Sequence, residues 1–274
     1  MPVIGFGTWT IGGRSEPDYS RDAQDIRAIE NALAEGLMHL DTAEGYAAGH
    51  AEELIAHAIH GYDRTKLFLK SKVSEDHLHY DDVLASCDAS LKRLRTDYLD
   101  LYLIHWPNDS IPIEETLRAL DRLKAEGVIR NMGVSNFATR RLKEAQQRTA
   151  NPIVVNQVLY NLIYRLPEKD GLVDYCQHND VILEAYRPVE RGLLGAADPK
   201  IIDQLVTKYG KTAYQIAINW LVSQKNVVTI FKTNDRGHVR ENIGGVGWEM
   251  EKEDIELLRT NYPNQHSEPD ESLT

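Results

Sequence analysis

Two patterns of apolar and polar residues alternate along the chain. Short apolar runs rich in Val, Ile and Leu are followed by longer segments in which apolar residues recur every three or four positions. In residues 22–35, for example, Ile26, Ile29, Ala32 and Leu33 would lie on one face of a helix. The short runs predict strands that are buried on both faces, and the longer segments predict amphipathic helices.

The positions of the predicted strands and helices follow from these patterns. The apolar runs predict eight strands, at Val3–Gly5, Leu37–Leu40, Leu67–Val73, Leu99–Ile104, Ile129–Val134, Pro152–Val158, Val181–Tyr186 and Val227–Phe231. The helical spacing predicts helices at Asp22–Glu35, Glu52–His60, Asp81–Arg95, Ile113–Ala125, Thr139–Arg148, Gly171–His178, Pro199–Tyr209, Ala213–Ser223, Val239–Asn242 and Glu251–Thr260.

The alternation of strands and helices predicts a parallel sheet, either closed as a barrel or open and doubly wound. A glycine-rich G-x-G-x-x-G turn is absent after the first strand, which disfavours the open dinucleotide-binding fold. A single (β/α)8 TIM barrel domain over residues 1–274 is therefore expected, since such barrels often reach about 250 residues. The polar segment Asn264–Thr274 predicts a flexible tail.

Composition narrows the classes of partner. The formal net charge of −11 argues against nucleic acid or an anionic membrane as the main partner. Apolar runs stay well below the roughly 18 residues of a membrane span, and the N-terminus lacks signal-peptide features, so a cytoplasmic protein is expected. Cys87 and Cys176 are expected to be structural thiols, and the histidine spacing fits no common zinc site, so no metal is expected.

Ionisable residues end three consecutive predicted strands. Asp41, Lys72 and His105 follow the second, third and fourth strands, and Tyr46 comes shortly after Asp41. A polar residue after a strand is often only the point where the chain meets solvent. Neighbouring strands lie about 4.8 Å apart, however, and active sites of such barrels lie at the carboxyl ends of the strands. We therefore expect these side chains to converge, with Asp41 and Lys72 paired.

This group of residues suits one kind of chemistry. A phenol has a pKa of about 10, and an adjacent ammonium favours the phenolate and lowers that value. Lys72 could tune Tyr46 in this way and make it a general acid, while His105 donates a hydrogen bond to the same substrate oxygen. Without a nucleophile or metal ligands, the group fits reduction of a carbonyl by an external hydride donor.

Longer motifs around these residues resemble the aldo-keto reductase family. They occur in the family's order, as Gly5-Phe-Gly-Thr-Trp9, Leu40-Asp-Thr-Ala-Glu-Gly-Tyr46, Ser71-Lys-Val73, Asp97-Tyr-Leu-Asp-Leu-Tyr-Leu-Ile-His-Trp-Pro107, Gly133-Val-Ser-Asn-Phe137, Val155-Asn-Gln157, Ala185-Tyr-Arg-Pro188, and Lys232-Thr through Glu241-Asn242. They span residues 5–242, so the resemblance covers most of the chain.

The resemblance implies roles for the matching residues. Tyr46 corresponds to the general acid of reduction, and Asp41 and Lys72 to the pair that tunes it. His105 corresponds to the residue that orients the substrate carbonyl, and Trp9, Tyr46 and Trp106 would form most of the substrate pocket. The residues implied to contact the cofactor, NADPH, are Thr8, Trp9, Asp41, Ser135, Asn136, Gln157, Tyr186, Arg187, Lys232, Thr233, Asn234, His238, Glu241 and Asn242.

Within that set the resemblance assigns separate tasks. Ser135, Asn136 and Gln157 would bind the nicotinamide carboxamide. Tyr186 would stack on the nicotinamide ring. The segment Lys232–Asn234 would bind the 2′-phosphate, and Glu241 and Asn242 the adenine.

Four departures from the family pattern affect these expectations. His238 stands where the family usually has an arginine, and it is a weaker phosphate partner. Lys232 still favours NADPH and Arg236 or Arg240 could compensate, while use of NADH stays open. Arg187 replaces a small residue, and it either binds the cofactor pyrophosphate or pairs with a loop acid. The chain starts almost at the first strand, so the barrel bottom is either open or covered by another element. Short loops after His105 and at the C-terminus predict an open pocket that accepts varied aldehydes.

The expected activity is NADPH-preferring reduction of small aldehydes or ketones by a monomer. The alternative is an NADPH-binding regulatory subunit of a channel, since such relatives often keep the same four residues. A sugar-phosphate isomerase on the same barrel fits these residues poorly.

Overall fold

The computed structural model describes residues 1–190, 192, 200–262 and 273–274. Its eight strands form a closed barrel in which each strand pairs in parallel with the next and the last pairs with the first. The strands are β1 Ile4–Gly7, β2 His39–Asp41, β3 Phe68–Val73, β4 Leu101–Ile104, β5 Met132–Ser135, β6 Ile153–Leu159, β7 Ile182–Tyr186 and β8 Val227–Phe231. The (β/α)8 barrel expected from the sequence is confirmed.

Helices connect the strands and cover the outside of the barrel. Within the described residues they are α1 Asp22–Ala34, α2 His50–Ala58, α3 Tyr80–Leu94, α4 Ile113–Ala125, α5 Thr139–Gln146, α6 Leu166–Lys169, α7 Leu172–His178, α8 Lys200–Tyr209, α9 Ala213–Val222, α10 Arg236–Ile243 and α11 Lys252–Asn261. Except for the four-residue α6, each has apolar residues packed into the core around the barrel, as their three-to-four spacing predicts. No helix in this part of the chain is both long and apolar enough to cross a membrane.

Most differences from the predicted elements lie at their ends and have local causes. The predicted strands at Leu99 and Ile129 begin later in the structure, because these two residues pair with each other in an isolated bridge below β4 and β5. Helix α10 begins three residues before the predicted Val239. The carboxylate of Asp235 accepts a hydrogen bond from the backbone N–H of His238 and so caps its first turn.

Two predicted segments lie wholly or partly outside the described residues. Pro199, where we expected a helix to begin, lies outside them, and so does most of the predicted tail. The last two residues, however, lie against the end of β5. The carbonyl oxygen of Thr274 accepts a hydrogen bond of 3.0 Å from the Ala138 N–H, and its own N–H donates to the Asn136 carbonyl oxygen over 3.1 Å.

The interior of the barrel changes in polarity along its axis. A small apolar cluster of Leu101, Leu103 and Val155 fills part of it. The residues of β2, β3 and β7 at a similar depth are His39, Lys70 and Glu184, and all three are fully buried. Charged residues therefore lie inside the barrel directly below the carboxyl ends of the strands, where the predicted site residues are found.

Candidate active site

The ammonium of Lys72 lies at the centre of the candidate site and contacts three other groups. Its Nζ lies 3.0 Å from Asp41 Oδ1, 2.8 Å from the carbonyl oxygen of Thr42 and 3.1 Å from the hydroxyl oxygen of Tyr46. Burial lowers the pKa of Lys72, and the Asp41 carboxylate opposes this shift. Burial also disfavours ionised Asp41, but the ammonium groups of Lys70 and Lys72 outweigh it and hold its pKa well below the usual range. The ammonium of a buried ion pair therefore donates a hydrogen bond directly to the phenol oxygen.

The turn that carries Tyr46 is held in an uncommon backbone conformation. Ala47 and Ala48, which follow it, have φ of 50° and 51°, in the left-handed region that side chains other than glycine rarely adopt. The N–H of Ala47 donates a hydrogen bond of 2.6 Å to the carbonyl oxygen of Arg14. This turn and the loop after β1 thus fix the phenol above Lys72, and the strain fits a site whose geometry is held by its surroundings.

Aromatic rings and an imidazole surround the phenol. The ring of Trp9 packs edge-on to Tyr46 with centroids 5.1 Å apart, and the imidazole of His105 packs edge-on from another side at 5.5 Å. Burial and the nearby Lys72 ammonium lower the pKa of His105 to about 3, so the imidazole is neutral at physiological pH. A neutral imidazole N–H beside the phenol provides a second hydrogen-bond donor for one substrate oxygen. Trp106 follows His105 in the next loop and is half-buried.

Three more predicted residues lie together at the ends of β5 and β6. Gln157 donates from Nε2 to Asp41 Oδ2 over 3.0 Å and to Glu184 Oε2 over 2.7 Å. Ser135 Oγ donates to the Gln157 carbonyl oxygen, and Asn136 Nδ2 donates to the carbonyl oxygen of His105 over 3.2 Å. Because both amide hydrogens of Gln157 point to carboxylates, its oxygen is the group that can accept a hydrogen bond from a ligand.

The aromatic residue at the end of β7 is joined to this group. The hydroxyl of Tyr186 donates to Asn136 Oδ1 over 3.1 Å, so its ring is oriented by the end of β5. On the opposite side, the Thr8 hydroxyl donates to the carbonyl oxygen of Asp41 over 2.9 Å and joins β1 to β2. Hydrogen bonds between strand ends therefore bring together residues that are far apart in the chain.

Arg187 pairs with a loop acid in this structure. Its guanidinium forms a close ion pair with Glu190, a carboxylate that is only 1% exposed and also accepts from Asn161. Arg187 has φ of 59°, and its carbonyl oxygen accepts a further hydrogen bond from Asn161 over 2.9 Å. Of the two alternatives left open by the sequence, these contacts match pairing with an acid of the same loop.

The end of β8 presents a cation and an unsatisfied acceptor. Burial lowers the pKa of Lys232, and among the described residues no carboxylate forms an ion pair with it. Asn234 Oδ1 is buried and has no hydrogen-bond partner in that same part of the chain. Thr233 Oγ1 accepts from the Asp235 N–H over 3.1 Å. A half-buried cation and a buried acceptor of this kind fit a ligand that carries both an anion and N–H donors.

The first turn of α10 follows directly and is more exposed. His238 is exposed and donates its backbone N–H to Asp235, while Asn242 is buried and the Glu241 carbonyl oxygen accepts from Gln215. We expected Arg236 or Arg240 to compensate for the missing arginine, but both form ion pairs with the carboxylate of Glu35. Their Nε atoms lie 2.7 and 3.0 Å from Glu35 Oε1.

Sequence reasoning missed three buried charged or titratable residues beneath the site. His39, Lys70 and Glu184 are fully buried, and Lys70 Nζ lies 2.9 Å from Asp41 Oδ2. Each precedes a predicted site residue by two positions on the same strand, namely Asp41, Lys72 and Tyr186. Side chains two apart on a strand share a face, so this spacing was a signal that could have revealed them.

A parallel barrel with an ammonium-bound phenol and a neutral imidazole at its carboxyl end defines a barrel enzyme equipped to protonate a carbonyl oxygen. Residues 3–262 match the profile of the Aldo/keto reductase family. The chain belongs to that family. The sequence resemblance is thereby confirmed, as is the expected NAD(P)H-dependent reduction of carbonyl compounds.

Individual relatives agree over nearly the whole length. Methylglyoxal reductase YeaE of Escherichia coli is 35% identical over 96% of this chain and 92% of its own, and glyoxal reductase of Bacillus subtilis is 34% identical over 94% and 88%. The solved structure of the thermostable aldo-keto reductase Tm1743 is 46% identical, with a TM-score of 0.91 over 94% of each chain. An aldo/keto reductase from Klebsiella pneumoniae, solved with NADP and acetate, is 34% identical with a TM-score of 0.87 over 99% and 95%.

Proposed function

We propose that this chain reduces small aldehydes and ketones to alcohols, with NADPH as the preferred hydride donor and Tyr46 as the general acid. The observation that carries the proposal is the hydrogen bond of 3.1 Å from Lys72 Nζ to the Tyr46 hydroxyl, made by an ammonium that is also paired with Asp41. A buried cation at this position stabilises the phenolate that remains after the proton has been given away.

The residues at the strand ends fit the cofactor. The oxygen of Gln157 would accept from the nicotinamide carboxamide, beside Ser135 and Asn136, and Tyr186 would stack on the ring. Bound NADPH supplies the hydride.

The far end of the cofactor would occupy the end of β8. The Lys232 ammonium, which has no carboxylate partner among the described residues, would bind the 2′-phosphate together with Thr233. The unsatisfied acceptor of Asn234 gives this segment a place for an N–H donor. Thr8, Trp9, Asp41, His238, Glu241 and Asn242 complete the proposed set of contacts, while Arg187 pairs with Glu190.

The protein's own part in the reaction is proton transfer and orientation. The substrate carbonyl oxygen binds between the hydroxyl of Tyr46 and the neutral imidazole of His105, whose hydrogen bonds polarise it. As the carbonyl carbon receives hydride, its oxygen takes the phenolic proton and becomes the alcohol. The phenolate is held by Lys72 until it regains a proton from solvent.

The substrate pocket is bounded by aromatic rings. Trp9 is 46% exposed at the mouth, and Trp106 lies beyond His105. Apolar walls with two hydrogen-bond donors at the base suit small carbonyl compounds of varied shape. Because the two reductases described above are named for methylglyoxal and glyoxal, these dicarbonyl compounds are the first substrates to test.

The test is substitution of the proposed acid. Tyr46→Phe should lower kcat for methylglyoxal by about 100-fold or more, the scale of a lost general acid, while the Kd for NADPH changes little. The matched control is Tyr62→Phe, which removes a hydroxyl from a tyrosine that is 41% exposed outside the site. Equal turnover by Tyr46→Phe and Tyr62→Phe would overturn the role of Tyr46.

The same measurement separates the enzyme from a cofactor-binding regulatory subunit. NADPH binding seen by fluorescence, without oxidation of NADPH by any aldehyde, would favour the regulatory protein. The monomeric state and the cytoplasmic location expected from the sequence stay predictions.

A further inference from the structure

A second ion pair lies inside the barrel, one layer below the catalytic residues. Lys70 and Glu184 are fully buried on β3 and β7, and their side chains are in direct contact. The mechanism above uses neither of them. Two charged side chains in a barrel interior are costly to bury unless each is compensated, so their surroundings indicate what they do.

The second pair is joined to the catalytic one through a shared carboxylate. Lys70 Nζ lies 2.9 Å from Asp41 Oδ2, and Lys72 Nζ lies 3.0 Å from the same oxygen. Gln157 bridges the two carboxylates, since its Nε2 donates to both Asp41 and Glu184. The contacts therefore form a continuous line from Glu184 through Lys70, Asp41 and Lys72 to the hydroxyl of Tyr46.

The charges along this line balance. Two carboxylates alternate with two ammonium groups, and the phenol at the end is neutral as long as it holds its proton. When the phenol gives its proton away, the resulting negative charge is felt by every member of the line, because water does not screen charges in the buried interior.

We propose that Lys70 and Glu184 are positioning residues that set the acidity of Tyr46 through Asp41 and Lys72. Lys70 neutralises part of Asp41, which otherwise would draw the Lys72 ammonium away from the phenol. Glu184 keeps Lys70 charged and in place. The inference rests on the proposed role of Tyr46 as the acid, and it adds a buried ion pair, Lys70 with Glu184, on which the acidity of Tyr46 depends.

The titratable and charged groups around this line agree with the proposal. Burial lowers the pKa of Lys70, and the Asp41 carboxylate opposes the shift, so an adjacent carboxylate helps Lys70 to stay charged. Burial, followed by the Lys70 ammonium, lowers the pKa of His39 well below its usual value, so the imidazole beside Glu184 is neutral. The groups facing the line are His39 and Asp41 from β2, Lys70 and Lys72 from β3, Tyr46 from the turn after β2, His105 from the loop after β4 and Glu184 from β7. Glu52 acts on Lys72 from α2, and the N-terminal ammonium acts on His39.

The test changes charge while keeping hydrogen bonds. Lys70→Gln removes the ammonium but can still donate to both carboxylates. Tyr46 is titrated in the cofactor-free protein by tyrosinate absorbance, as the difference between each variant and the same variant carrying Tyr46→Phe. We expect Lys70→Gln to move the titration of Tyr46 to higher pH by about one unit or more, the size of shift that a neighbouring charge produces.

A second substitution restores the charge balance. In Lys70→Gln/Glu184→Gln one carboxylate and one ammonium remain, so the titration should return most of the way to that of the unaltered protein. Lys66→Met removes a positive charge from an exposed lysine close by in the sequence and should leave the curve unchanged. Lys70→Met repeats the measurement if the glutamine variant does not fold. An unmoved titration in a folded Lys70 variant, or a double variant that moves further in the same direction, would overturn the proposal.

The pH dependence of turnover gives an independent reading. Reduction loses its acid as Tyr46 deprotonates, so the alkaline limb of kcat should shift with the tyrosinate titration in each variant. A merely structural role for Lys70 would lower stability without moving either curve. The titration needs no substrate. A protein that fails to reduce aldehydes but shows the expected shift would therefore refute the proposed function, but not the effect of Lys70 and Glu184 on the acidity of Tyr46.

Discussion

The Nζ of Lys72 lies 3.1 Å from the hydroxyl oxygen of Tyr46, although Lys72 is fully buried and bound to Asp41 at the same time. One ammonium therefore belongs both to a buried ion pair and to the hydrogen bond with the phenol. Removing Lys72 should take the ammonium away from the phenol without leaving Asp41 unpaired, because Lys70 Nζ still lies 2.9 Å from the Asp41 carboxylate.

Lys72→Met is expected to lower kcat for aldehyde reduction by about 100-fold or more while the protein still folds. The phenol loses the ammonium that donates to it, so its proton is harder to give away. The check is kcat measured across pH, with circular dichroism to confirm folding. Lys66→Met, at an exposed position, is the control. A Lys72→Met enzyme with normal kcat at neutral pH would contradict the assignment.

The cation at the end of β8 should distinguish the two forms of the cofactor. Lys232→Met is expected to raise the Kd for NADPH about ten- to 100-fold, the equivalent of one hydrogen bond to a charged group, and to change the Kd for NADH little. Fluorescence titration with each cofactor measures this. Lys225→Met is the matched control, since Lys225 is exposed and lies just before the same strand. Equal losses for both cofactors would show that Lys232 does not bind the 2′-phosphate.

Glu35 offers a test of why a histidine suffices where the family usually has an arginine. Its carboxylate holds both Arg236 and Arg240, and these two guanidinium groups lower its pKa. Glu35→Gln releases them, so we expect the Kd for NADPH to fall by up to about five-fold at low salt, within the range of an exposed ion pair. The gain should disappear at high salt and in Glu35→Gln/Arg236→Gln/Arg240→Gln. A weaker affinity in the single variant would instead mean that Glu35 positions the arginines for binding.

The barrel and the convergence of Asp41, Tyr46, Lys72 and His105 could be predicted because both follow from local patterns. Apolar runs and helical spacing define the elements, and residues that end neighbouring parallel strands must meet at one end of the barrel. The ion pair of Lys70 with Glu184 could not be predicted in the same way. Their strands are separated by more than a hundred residues, and only barrel closure brings them together. The pairing of Arg187 with Glu190 likewise depends on the local loop conformation, which the sequence left open.

Acid should destabilise the fold partly through His105. Its pKa is about 3 in the folded protein, against about 6.5 when unfolded, so between these values the unfolded chain binds the extra proton. The contribution of His105 to the free energy of unfolding is thus constant above about pH 6.5. Below that pH it falls, by up to about 1.4 kcal/mol for each pH unit. Urea unfolding between pH 4 and 7 measures the slope. His105→Gln should flatten the slope and His60→Gln, at an exposed position, should not; equal slopes in all three proteins would exclude this contribution.

The close approach of β1 to His39 predicts a stability effect that can be measured as a double-mutant cycle. A methyl group on Gly5 would lie 2.5 Å from His39 Nδ1, and the imidazole has little room to move because it packs edge-on against Phe68 with centroids 5.0 Å apart. Gly5→Ala is therefore expected to lower the free energy of unfolding by about 1–3 kcal/mol, the usual cost of overpacking. Gly7→Ala is the matched control, since its methyl would meet Ile230 at an ordinary 3.6 Å.

The cycle adds His39→Ala, which removes the ring that the new methyl would strike. In that background Gly5→Ala should cost much less than in the unaltered protein, and the difference between the two costs is the coupling between the positions. Urea denaturation of the four proteins supplies all the required values. If Gly5→Ala costs the same with and without the imidazole, the glycine is needed for a reason other than contact with His39.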